Sequence, residues 1–129
     1  MADLLVDTDV CVDHLKGIKR LRRSGRLAYS VITRAELLAD QSADEPTLRR
    51  FLAGMDELPV DRRVAERAGR LRKDVPSLKM PDALIAATAL VHSLTLATKN
   101  VRDFPRVPEL RLAEGRYRNS REPVQQNPN

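Results

Sequence analysis

Residues 79–90 read KMPDALIAATAL. Lys79, Met80 and Pro81 lead into Asp82, and an almost wholly apolar run follows. Pro81 and Asp82 make a good helix start: proline is pre-set for the first turn, and negative charge suits the positive end of a helix dipole. The run behind them predicts a helix to about His92, buried on most of its surface. Such a helix has to lie against a sheet, so the neighbouring segments must supply one.

They do. Asp3 to Asp7 is a short apolar run ending in acid, the signature of a buried strand. Thr8 is placed to cap a helix through Val10, Cys11, Val12 and Leu15 to about Lys16, where Gly17 breaks it. Ile18 to Arg23 suggests a short basic helix, and Ser24 and Gly25 a turn. Residues 27–31, LAYSV, form the second strand candidate, and Thr33 opens a helix to about Ala39. Glu45 and Pro46 start another, with Leu48, Phe51, Leu52 and Met55 on one face at i, i+3, i+4 and i+7. Residues 57–60 suggest a third strand, with Pro59 marking an edge or an end. Asp61 caps a helix that turns Val64, Ala65, Ala68 and Leu71 inward and a basic face outward. Residues 94–98 give the fourth strand, and 110–112 suggest a short fifth. Strands alternating with helices predict an α/β protein with a mostly parallel sheet and helices on both faces. Residues 1–114 are expected to form the domain. Residues 115–129, polar and with two prolines, are expected to be a disordered tail; the sequence has no internal repeat.

Composition narrows the function. The chain has 129 residues, enough for one domain with a real core, and so few aromatics that Leu, Val, Ile and Ala must build it. Cys11 is the single cysteine, so no internal disulfide forms, and a reducing, cytoplasmic setting is expected. No apolar run is long enough to cross a membrane, and the first residues do not resemble a secretory signal. The net charge is +5, with 18 Arg against 5 Lys. Guanidinium groups fit phosphate oxygens, which favours a phosphate-bearing partner, although basic charge also serves solubility.

Four acids stand where strands end or helices begin. Asp7 ends the first strand, and Glu36 lies one turn into the helix after the second. Asp82 heads the helix before the fourth strand, and Asp103 follows that strand by five residues past Thr98. Each has an ordinary explanation: Asp7 as a cap, Thr33 to Glu36 as a capping box, Asp82 as a helix start, Asp103 as a turn residue. Together they share one edge of a parallel sheet, where functional groups of such folds converge. Two carboxylates about 5 Å apart repel by about 3 kcal/mol at an effective dielectric of 20. A cleft of four therefore calls for a cation or a proton. Oxygen-only donors select Mg²⁺ or Mn²⁺, and His14, His92 and Cys11 make no zinc set. A carboxylate-held magnesium suits phosphodiester cleavage, with a further carboxylate orienting or deprotonating the attacking water.

LLVDTDV, SVITRAELL, MPDALIAATA and LATKNVRDF, in this order and spacing, resemble PIN-domain ribonucleases, and more narrowly the VapC toxins of bacterial VapBC toxin–antitoxin modules. The resemblance covers about residues 3–112. It implies an α/β/α sandwich with four or five strands and a magnesium-dependent endoribonuclease, often acting on tRNA or rRNA, with Mn²⁺ as a substitute ion. It also implies a VapB-like antitoxin whose C-terminal segment covers the site, and a homodimer. Matched position by position, it makes Asp7, Glu36, Asp82 and Asp103 the catalytic and metal-binding acids, Asp7 and Asp82 foremost. Thr98 and Asn100 become their supports. Asp9 stands where Ser, Thr or Asn is more common, and is expected to point outward. Asp13, one turn on, is expected at the surface.

Lys19, Arg20, Arg22 and Arg23 lie in the densest basic stretch, expected to bind RNA backbone near the mouth of the site. Lys99 and Arg102 flank Asp103 and are expected to meet the scissile phosphate. Two other readings stay open: a PIN-like module that binds RNA or a partner without catalysis, and a phospho-acceptor receiver using Asp61.

Overall fold

The computed structural model of the protein describes residues 2–21 and 25–113. The tail expected from residue 115 onward, and Arg22 and Arg23, lie outside the described residues.

Four strands form the sheet: β1 (Leu4–Val6), β2 (Leu27–Ser30), β3 (Asp56–Leu58) and β4 (Thr95–Ala97). All pair in parallel, in the order β3-β2-β1-β4. Five helices connect them: α1 (Thr8–Leu15), α2 (Val31–Ala39), α3 (Glu45–Ala53), α4 (Arg62–Asp74) and α5 (Met80–Val91). Side chains alternate across the sheet. Leu5, Ala28 and Leu96 face α4 and α5, whereas Leu4, Val6, Leu27, Tyr29 and Ala97 face α1 and α3. Both faces are therefore covered, which is why these strands read as unbroken apolar runs. This is the three-layer α/β/α sandwich expected.

Helix α5 is central. Ala83, Ile85, Ala86, Ala87, Thr88 and Ala89 of α5 are all buried, and its small side chains let the sheet and α4 approach closely. From α4, Val64, Ala68 and Leu71 form the facing stripe.

Three expected elements differ. Residues 16–21 form no helix, because the N–H groups of Ile18 and Lys19 both donate to Asp13 O, and Leu21 N–H donates to His14 Nδ1. Leu21 is thereby turned into the core. The fifth strand reduces to one bridge, Leu96 to Leu112, reached through a turn in which Glu109 takes a φ of 68°. Strand β3 ends at Leu58, before Pro59, at the free edge of the sheet. Among the described residues no helix is long and apolar enough to cross a membrane.

Candidate active site

The chain runs outward from β1 through β2 to β3, then returns to place β4 on the other side of β1. The connections leaving β1 and β4 therefore diverge, and a crevice opens between their carboxyl ends. Asp7 follows β1 directly. Its N–H donates to Ala97 O at 2.9 Å, continuing the ladder one residue past the strand. That contact sets Asp7 beside Thr98, the first residue after β4.

Asp7 is 5% exposed. Its Oδ1 accepts from Thr8 N–H at 2.8 Å as the N-cap of α1, and its Oδ2 accepts from Thr98 Oγ1 at 2.7 Å. Capping and site roles thus coincide in one side chain. The Thr98 hydroxyl in turn accepts from Asn100 N–H at 3.0 Å. Asn100 Oδ1 accepts from the N–H groups of Arg102 (3.3 Å) and Asp103 (3.0 Å), and its Nδ2 donates to Asp103 Oδ2 at 3.3 Å. One chain of hydrogen bonds therefore runs from Asp7 through Thr98 and Asn100 to Asp103.

Glu36 arrives from the next strand. Ser30 ends β2 and caps α2 by accepting from Ile32 N–H. The expected capping box at Thr33 does not form, because the helix begins two residues earlier. Thr33 is free to meet Thr8 instead: the two hydroxyl oxygens lie 2.9 Å apart, and Thr8 Oγ1 donates to Glu36 Oε1 at 2.6 Å. Asp82 is the third residue of α5, whose N-cap, Lys79, makes no side-chain cap bond. It is half-buried, and the helix dipole favours its charge.

The electrostatics unite the four. Burial pushes the Asp7 carboxyl up to about 7, with Asp9 and then Asp82 adding to the rise against the lowering by Thr98 and Thr8. Burial also raises Asp82, helped by the facing charges of Glu36, Asp103 and Asp9, with Lys79 opposing. Asp82 thus feels the charges of Glu36 and Asp103 and is itself felt by Asp7.

Among the described residues no three carboxylate, His or Cys side chains close into a ready-made cage. The donor set still fits a hard cation. It is all oxygen, it carries an excess of negative charge, and among the described residues the Asp7 carboxylate takes one hydrogen bond on each oxygen. Magnesium is typically held by one or two carboxylates and keeps several waters, so an open cleft suits it better than a closed cage.

Several residues are placed differently from expectation. Asp9 does not point outward: its oxygens accept from Lys99 N–H at 3.2 and 3.3 Å. Asp13 is buried rather than at the surface, and its Oδ2 lies 2.9 Å from Lys99 Nζ. Both face the loop after β4, a contact no local pattern in α1 could reveal. Lys99 is accordingly tied to Asp13. Arg102 is exposed beside Asp103. Lys19 and Arg20 lie in the turn that folds back on the end of α1, where the N–H of Lys19 donates to Asp13 O and that of Leu21 to His14 Nδ1. Thr8, Thr33 and Lys79 also lie at the acids; in sequence Thr8 and Thr33 carry only a helix-start signal, and the polar position next to Asp7 is the one clue to Thr8. Asp61 caps α4 by accepting from Val64 N–H, and the Thr98 hydroxyl is committed to Asp7, which leaves the receiver reading without its parts.

The PIN domain family matches residues 4–110. Ribonuclease VapC10 of Mycobacterium tuberculosis is 38% identical over 120 residues, covering 84% of this chain and 90% of that protein. The tRNA(fMet)-specific endonuclease VapC of Salmonella typhimurium is 28% identical, covering 88% of this chain and 98% of its own length. Among solved structures, a toxin–antitoxin complex from Klebsiella pneumoniae is similar with a TM-score of 0.71 at 33% identity, over 81% of this chain and 92% of the other.

Proposed function

The chain belongs to the PIN-domain family, and from that premise we propose that it is a metal-dependent endoribonuclease, the toxin of a type II toxin–antitoxin pair working in the cytoplasm. Its substrate is a structured RNA, with tRNA or rRNA as the class. One observation carries the reading: four acids from four separate elements meet at the carboxyl edge of the sheet, with Asp7 buried there and pushed up to about 7.

Asp7 and Asp82 would hold Mg²⁺, or Mn²⁺ in its place, with Glu36 and Asp103 reaching it through water. When bound, the ion polarises the phosphate and makes a bound water acidic. The remaining work falls to the chain. Thr8 N–H and Thr98 Oγ1 fix both oxygens of Asp7. Asn100 holds Asp103 through backbone and side chain together. Glu36 is exposed, and its Oε1 accepts from Thr8. Its other oxygen is the one suited to take the proton of the attacking water. Arg102 beside Asp103 and Lys79 beside Asp82 supply positive charge for the RNA backbone.

For the antitoxin partner we assign the apolar groove of about 190 Å³ between α1, α2 and α3, lined by Val12, Leu15, Leu37 and Leu48 among others. The protein is proposed to act as a homodimer, as the family resemblance implies.

Protein purified free of antitoxin should cleave a bulk tRNA preparation in the presence of Mg²⁺, and EDTA should stop it. Asp82→Asn should abolish cleavage while the far-ultraviolet circular dichroism spectrum stays that of the parent. Full cleavage by the D82N protein would sink the assignment.

A further inference from the structure

Lys99 sits between the two residues that hold the site's aspartates. Thr98 on one side donates to Asp7, and Asn100 on the other fixes Asp103. Lys99 itself is gripped from α1 by two acids one helical turn apart, Asp9 and Asp13, on one face. Its backbone N–H donates to the Asp9 carboxylate at 3.2 and 3.3 Å, and its Nζ lies 2.9 Å from Asp13 Oδ2. The Asp13 side chain is only 7% exposed, whereas that of Lys99 is 43% exposed. A carboxylate that deep must be compensated, and the pair forms only if Lys99 reaches inward. A lysine serving only to meet a phosphate would have no need of an interior carboxylate.

The segment it belongs to is irregular. Residues 98–103 lie in no helix or strand, and side-chain bonds of Thr98 and Asn100 tie them together. It runs from the end of β4 to a short 3-10 helix, Phe104–Arg106, and carries Thr98, Asn100 and Asp103 between them. Reaction geometry tolerates little misplacement, so a brace from the rigid helix α1 has a clear purpose.

We infer that Asp9, Asp13 and Lys99 form a clamp that fixes the loop after β4, making Lys99 and Asp13 positioning residues for Thr98, Asn100 and Asp103. The inference rests on the nuclease reading above. It reassigns Lys99 from contact with RNA to support of the acids, and gives Asp13, which the mechanism otherwise leaves idle, a role at a distance.

The test compares K99M, D13N and the double variant with the parent protein. Two quantities are read: the kinetics of tRNA cleavage, and Mn²⁺ binding to the RNA-free protein by paramagnetic broadening. The clamp predicts that each single variant lowers kcat by tenfold or more and leaves KM for RNA within about twofold. Each should weaken Mn²⁺ binding severalfold. The double variant should be no worse than the single ones, because either change opens the same clamp. A lysine acting on the phosphate gives another pattern: K99M raises KM, and D13N behaves like the parent. That pattern overturns the clamp, as does a K99M protein that binds Mn²⁺ and turns over normally. Should D13N fail to fold, K99M carries the test alone, since its side chain is half-exposed. A parent protein that neither binds Mn²⁺ nor cleaves RNA overturns the nuclease reading instead, and the clamp's purpose with it.

Discussion

Asp7 receives two hydrogen bonds and yet titrates near neutrality, because burial and the Asp9 charge outweigh them. An unfolded aspartate titrates at about 4, so the folded state holds its proton more tightly. The metal-free protein is then favoured below about pH 4 and loses that contribution as pH rises to about 7. At about 1.4 kcal/mol per pKa unit the loss reaches at most about 4 kcal/mol. Asp7→Asn removes the titration and keeps an acceptor for Thr8 N–H. In EDTA at pH 8 the D7N protein should therefore melt above the parent, with the gap narrowing toward pH 5, while cleavage is lost. A D7N protein that melts below the parent at pH 8 would contradict the assigned burial cost. Asp7, Glu36, Asp82 and Asp103 were legible as residues because each follows a strand or heads a helix. Asp9 and Asp13 were not, because what they face comes from about ninety residues downstream.

Helix ends show the same division. Asp61 was readable as the cap of α4, and the structure bears this out with a 2.9 Å bond to Val64 N–H. Thr33 looked like the better cap for α2, but Ser30 takes that place because β2 stops one residue earlier than its apolar run suggests. Gly17 ends α1 with a φ of 72°, as the sequence suggested: its N–H donates to His14 O and that of Ile18 to Asp13 O. At the end of α5, Ser93 adopts the same left-handed conformation at φ 55°, with its N–H on Leu90 O and that of Leu94 on Ala89 O. A side chain there is strained where glycine is not. Ser93→Gly should therefore stabilise the protein by about 0.5–1 kcal/mol, read as a rise of about 2–4 °C in melting temperature. No rise would mean that the serine makes up the strain elsewhere.

At the scale of the whole molecule, the strand order creates the site. With β4 laid beside β1, one crevice receives Asp7 from β1, Thr98 from β4, Glu36 from the helix after β2, and Asp82 from the start of α5. A divalent ion held there, as proposed, would stabilise the entire fold, since the unfolded chain has no such site. Adding Mg²⁺ should thus raise the melting temperature, more at pH 8 than at pH 6, because protons compete for Asp7. The D82N protein should show a much smaller rise. An equal rise in D82N would mark general ionic screening rather than a bound ion.

The sequence alone determined that this is an α/β chain with a parallel sheet, because apolar periodicity and turn residues act locally and each strand or helix carries its own signal. It also singled out the four acids, whose places at strand ends and helix starts are fixed by chain order. Only the tertiary structure decided which way the ambiguous charges turn. Asp9 and Asp13 face inward because Lys99 meets them there, and residues 18–21 form no helix because the N–H groups of Ile18, Lys19 and Leu21 turn back onto Asp13 and His14 at the end of α1. Burial and pairing across long sequence separations set the fate of a charge, and no local pattern records them.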